Sequence, residues 1–132
     1  MNRSLFFLAV LSLCVWALGA CTPGTQAFGF IEGHVTIGPL VPVIREGEAE
    51  PTPNPEVYAA REVVVFKKDG KTEFSRITID ANGNYRGKLP VGTYVVDINH
   101  AGIDTASGLP VEIEITDQGV VRLDIDIDTG IR

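Results

Sequence analysis

"DANGNYRGKLPVGTYVVDIN" (residues 80–99) is punctuated by Asn82-Gly83 and by Pro90-Val91-Gly92, which cut it into short segments. Within each segment the apolar residues recur at every second position. Tyr85, Gly87 and Leu89 share one side opposite Arg86 and Lys88, and Tyr94, Val96 and Ile98 oppose Val95, Asp97 and Asn99. A period of two belongs to an extended strand with one face on a core, because successive side chains point to opposite faces. Asp80 can accept backbone N–H groups at the turn, and Gly83 supplies a permissive dihedral. Both tyrosines fall at inward-facing positions, so each is expected to bury its ring and to need a partner for its hydroxyl.

The same grammar extends outward. Ile31, Val35 and Ile37 alternate with Glu32, His34 and Thr36. "EVVVF" (62–66) is apolar on both faces and predicts a central or covered strand. "TEFSRITID" (72–80) slips its alternation between Phe74 and Ile77, which predicts a bulge or a change of sheet. Val111, Ile113 and Ile115 oppose Glu112 and Glu114, while Val121, Leu123, Ile125 and Ile127 oppose Arg122, Asp124, Asp126 and Asp128. Asp69-Gly70 and Asn82-Gly83 suit tight hairpins, and Gly92 suits a reversal after Pro90. Seven such strands predict an all-β domain, a Greek-key-type β-sandwich over residues 30–132. One segment stands apart: 38–61, with five prolines and four glutamates, predicts a long, loosely packed loop over one end of the sandwich.

The residues Gly33 and Val35, then Asp80, Gly83 and Tyr85, then Leu89, Pro90, Gly92 and Tyr94 follow a pattern of Gly-x-Val, Asp-x-x-Gly-x-Tyr and Leu-Pro-x-Gly-x-Tyr. This pattern resembles the carboxypeptidase regulatory-like family of transthyretin-type (Ig-like) sandwiches, related to the Cna-B repeats of bacterial surface proteins. The resemblance covers about residues 30–128. It implies a fold, and a role as an accessory, stalk or adhesion module, but no shared active site. The Lys–Asn crosslink of many Cna-B domains is not carried over, since residues 31–37 hold no lysine and no asparagine follows Asn99.

The chain opens "MNRSLFFLAVLSLCVWALGAC": a cation, an apolar run from Leu5 to Leu18 broken only by Ser12, and small residues at Gly19 and Ala20. That is the pattern of an export signal. Its ending resembles the bacterial lipobox, which implies cleavage between Ala20 and Cys21 and acylation of Cys21. The expected organisation is a lipoprotein signal peptide (1–20), a lipidated tether (21–29) and the sandwich domain. With Cys14 in the signal and Cys21 acylated, the mature chain keeps no thiol for disulfides or catalysis. Each buried acyl methylene contributes about 0.8 kcal/mol, so two or three chains give durable attachment to a membrane. Thr22 is not the aspartate that commonly marks inner-membrane retention, so an outer membrane is expected where the organism has one.

Removal of Arg3 with the signal takes the formal charge from −6 to −7. An acidic exported domain gives no electrostatic footprint for nucleic acid or for anionic lipid headgroups, so both are disfavoured as partners. "DIDIDTG" (124–130) has the alternating carboxylates of a calcium loop but places Thr129 where glycine is needed and ends before a twelfth-position acid. A solvated strand face explains it better. Asp97, His100 and Asp104 form a candidate divalent-metal cluster beside the alternative that His100 ends a strand and Asp104 caps a turn. No G-x-S-x-G motif or free mature cysteine offers a nucleophile, so no enzyme activity and no cofactor are expected. Platforms for sugar are thin: the mature chain has no tryptophan, Tyr58 lies in the long loop, and Phe28 and Phe30 sit near the tether. The expectation is a non-catalytic, lipid-anchored structural or protein-interaction module of the cell envelope, its partner an envelope protein or glycan. The alternative is a sandwich that binds carbohydrate or a divalent metal.

Overall fold

A computed structural model describes residues 23–132; the expected signal peptide (1–20) and the expected lipidation site, Cys21, lie outside the described residues. The strands are β1 (Phe28–Gly38), β2 (Glu62–Lys67), β3 (Glu73–Thr78), β4 (Asn84–Pro90), β5 (Gly92–Ile98), β6 (Thr105–Ala106), β7 (Val111–Ile115), β8 (Val120–Arg122) and β9 (Ile125–Asp128), with one helix, α1 (Pro55–Ala59). One sheet runs β4-β1-β9-β6, with β8 also beside β1, and the other runs β3-β2-β5-β7. The all-β sandwich expected from the alternation is therefore what forms. Nine described strands replace the seven expected, because β6 is an added two-residue pairing and the last strand is divided.

The inward positions of both sheets meet in one core, which includes Ile31 and Val35 of β1, Val63 and Val65 of β2, and Leu89 of β4. From the later strands come Val96 of β5, Ile115 of β7 and Ile127 of β9. Full burial of such a side chain contributes about 1.5–3 kcal/mol, so the sheets hold together without a disulfide. β2 is central between β3 and β5, as its two apolar faces require. Val65 pairs with Ser75 and Phe66 with Glu73, so Phe74 is the extra residue of a bulge, where the alternation slips.

Two turns act differently from their composition. Asp69-Gly70 does close the β2–β3 hairpin: Asp69 accepts the Lys71 and Thr72 N–H groups and the Thr72 hydroxyl. That hydroxyl contact above all, with the two N–H groups, holds the Asp69 carboxyl down to about 2. Asn82-Gly83 instead carries the chain from β3 in one sheet to β4 in the other, and Pro90-Val91-Gly92 carries it from β4 back to β5. A corner between sheets needs the same positive φ as a hairpin, so turn chemistry alone cannot tell them apart.

Segment 38–61 is only partly a loop. Residues 42–52 are exposed, but Asn54 caps α1 by accepting the Val57 N–H at 3.0 Å, and Pro55 occupies the first turn, where its missing N–H costs nothing. The helix drives Tyr58 into the core. Tyr58 is thus no sugar platform: its ring lies so close to Gly83 that a Cβ there would stand 2.9 Å from it.

Residues 120–128 run parallel to β1 in constant register, Ile31 opposite Val121 and Val35 opposite Ile125. The ladder breaks between them. A regular parallel pair would bond the His34 N–H to the Leu123 carbonyl; here the His34 N–H donates to Asp124 Oδ1 at 2.8 Å, and the Leu123 carbonyl accepts the Tyr85 hydroxyl. That carbonyl occupies the space beside Gly33, where a Cβ would stand 1.9 Å from its oxygen.

Candidate functional site

β1 begins at Phe28, directly after the stretch expected to serve as a tether, and ends at Gly38; these two ends of the sandwich are the tether pole and the loop pole. The loop pole gathers segment 38–61, the loop 99–104 and the C-terminus. At its centre Arg61 Nε donates to Asp104 Oδ2 at 2.6 Å and Nη2 to Oδ1 at 3.2 Å, while Nη1 donates to the Val57 carbonyl at 2.9 Å. The Asp104 side chain is only 4% exposed and that of Arg61 14%. This bidentate pair ties α1 to the 99–104 loop and floors a groove of about 510 Å³ lined by Leu40, Val57, Ile103 and Ile131. Ile103 and Val43 project freely from this pole.

The candidate metal residues do come together, but with their donors spent. His100 Nε2 lies 3.0 Å from Asp97 Oδ2, and Nδ1 lies 3.1 Å from the Asp104 backbone carbonyl. The bond to Asp97 first, and the Asp104 carbonyl second, raise the His100 pKa above the ordinary imidazole value. Asp104 turns its carboxylate away, to Arg61. Among the described residues no three His, Cys, Asp or Glu side chains stand where they could share a metal ion. His100 holds a left-handed backbone (φ 47°), which its ring contacts to both neighbours stabilise.

The signature residues serve the fold. Asp80 Oδ1 accepts the Asn82 and Asn84 N–H groups at 2.8 and 2.9 Å, and the Gly83 carbonyl accepts the Val35 N–H at 2.7 Å. Tyr94 donates to the Pro90 carbonyl at 2.8 Å across the corner that Gly92 turns, with Leu89 packed beneath. Burial first, then the Asp124 charge, pushes the Tyr85 phenol well above its ordinary pKa, so it remains a hydrogen-bond donor. In "DIDIDTG" the carboxylates diverge. Asp124 takes the His34 N–H and pairs with Arg122, and Asp128 pairs with Arg132 and accepts the Gly130 N–H. Among the described residues, every buried side-chain nitrogen or oxygen has a partner.

At the tether pole Phe28 and Phe30 point outward from β1, each covered by a cation of β4. Lys88 Nζ lies 4.4 Å from the Phe28 ring centre, and the Arg86 guanidinium lies 4.4 Å from that of Phe30. In the sequence these aromatics fall near the expected tether, ahead of the alternation that begins at Ile31; β1 in fact extends back to Phe28, and the cations over the rings come from a strand distant in sequence.

This architecture is a β-sandwich of the kind found in Gram-positive pilins. The minor pilin of the pathogen Streptococcus agalactiae superposes with a TM-score of 0.51 at 15% identity, over 78% of this chain and 45% of its own. The Bacillus anthracis TIE protein gives 0.51 at 15%, over 78% of this chain and 17% of its own. A DUF3823 family protein from Parabacteroides merdae gives 0.47 at 11%, over 77% and 46%. The chain thus spans less than half the length of each. No protein-family model matches it. No curated protein matches it either.

Proposed function

We propose that this chain is a non-catalytic structural or protein-interaction module of the cell envelope, held there by lipid on Cys21. The observation that carries the non-catalytic part is the commitment of its polar groups. Asp80, Tyr85, Tyr94, Asp97, His100 and the Arg61–Asp104 pair all hold turns, corners or loop ends. The fold shared with a minor pilin supports a surface role. The sequence ending Leu18-Gly19-Ala20-Cys21 supports the anchor. Contacts to a partner fall to the loop pole, where segment 42–52 and Ile103 are exposed.

Mass spectrometry of the mature N-terminus tests the anchor: a diacylglyceryl-modified, acylated Cys21 is expected, and an unmodified thiol overturns it. Crosslinked pull-down of the full chain, with and without residues 42–52, tests the contact surface. Recovery of the same partner by the deletion variant would remove that segment from the interface. Saturable binding on a glycan array would move the assignment to a ligand-binding module.

A further inference from the structure

Residues 21–132 carry a formal charge of −7, yet the cations are not spread evenly. The chain has four lysines, Lys67, Lys68, Lys71 and Lys88, and all four are exposed at the tether pole. The fold brings them there from two sheets. Lys67 pairs with Tyr94 at the start of β5, and the Val91 N–H, one corner away, bonds to the Ala27 carbonyl of the incoming tether. Lys88 lies over Phe28, and the Gln118 N–H bonds to the Phe28 carbonyl from the other side. Of the acids near this pole, Glu73 is paired with Arg76, which leaves Asp69, ionised in its turn, with Glu114 and Asp117 against the four lysines. Val91 and Val120 stand in the same region, 47% and 53% exposed. The opposite pole carries Glu46, Glu48, Glu50 and Glu56 against Arg45, while its other arginines, Arg61 and Arg132, are paired with Asp104 and Asp128.

We infer that the tether pole is a docking surface for an anionic phospholipid bilayer, the one to which Cys21 is attached. The inference rests on the proposed anchor. Only six residues separate Cys21 from Phe28, so the seven steps between them reach at most about 25 Å when fully extended. Attraction between exposed lysines and anionic headgroups decays within a Debye length of about 8 Å at physiological salt. A tether this short keeps the pole close enough for that attraction to act, while Val91 and Val120 can enter the headgroup layer between the lysines. The acidic loop pole is repelled by the same surface. The domain therefore stands on its lysine end and presents segment 42–52, Ile103 and the groove beside Arg61 away from the bilayer.

The mature chain has no tryptophan, since Trp16 lies in the leader, so one introduced indole reports on one pole. Residues 21–132 would be coupled through the Cys21 thiol to a maleimide phospholipid, which supplies the anchor whether or not cells acylate it. The vesicles would contain phosphatidylglycerol and lipids with brominated acyl chains. Fluorescence of the Val91→Trp variant is expected to fall by about half or more, and that of Ile103→Trp to stay unchanged. The quenching should vanish in pure phosphatidylcholine, at high salt, or with Lys67, Lys68 and Lys71 all changed to Glu. Equal quenching at both positions, quenching at neither, or quenching at Val91 that ignores lipid charge would overturn the inference. Mass spectrometry of the native N-terminus tests the anchor separately, so the two failures are distinguishable.

Discussion

The Tyr85 hydroxyl donates to the Leu123 carbonyl in the space that a side chain at position 33 would fill. Gly33 and Tyr85 thus form one device that replaces a missing ladder bond. Tyr85→Phe leaves a half-buried carbonyl unpartnered and should cost about 1–3 kcal/mol in urea unfolding. Gly33→Ala must displace the backbone of residues 123–124 and should cost more, about 3 kcal/mol or beyond. An alanine at 33 tolerated within about 0.5 kcal/mol would refute this account.

Breaking the Arg61–Asp104 pair strands a buried charge. Asp104→Ala should lower stability by about 3–5 kcal/mol, while the double variant Arg61→Met, Asp104→Leu should recover most of the loss. Thermal melts of the two variants make the comparison. A single substitution without effect would mean that the pair is solvated in solution.

His100 gives a pH signature. Its pKa is raised in the folded state, so its contribution is fully present below the ordinary value of about 6.5 and is lost as pH rises through the folded value. The side chain is half exposed, so the effect is small after solvent screening. Between pH 6 and 8.5 the melting midpoint of the wild type should fall by a degree or two relative to that of Asp97→Asn. Parallel curves would disprove the coupling.

Loop and anchor separate in segment 38–61. Deleting residues 42–52 should leave the melting midpoint nearly unchanged, because that stretch is exposed. Tyr58→Ala, which empties a core position, should cost about 3–5 kcal/mol. Chemical denaturation of both variants checks the contrast, and the reverse order of sensitivity would contradict it.

With the His100 nitrogens and the Asp104 carboxylate already engaged, millimolar zinc or calcium should not move the melting midpoint. A metal-dependent rise, reversed by chelator, would show that these contacts yield to an ion.

Much of this fold is written locally. The alternation around Tyr85, Leu89, Tyr94 and Val96 set the strands and their inward faces, because side-chain parity is a property of a few consecutive residues. The slip at Phe74 and the glycine turns were legible for the same reason. Pairings across long separations were not: Ile31 beside Val121, Tyr85 with Leu123, and Arg61 with Asp104. No local pattern encodes which distant backbone or charge will arrive, and sheet corners use the same turn residues as hairpins. Net charge was likewise read correctly from composition, but its division between two poles exists only once β2, β4 and the tether meet. Alternation fixes which way side chains point; only the closed sandwich decides what they meet.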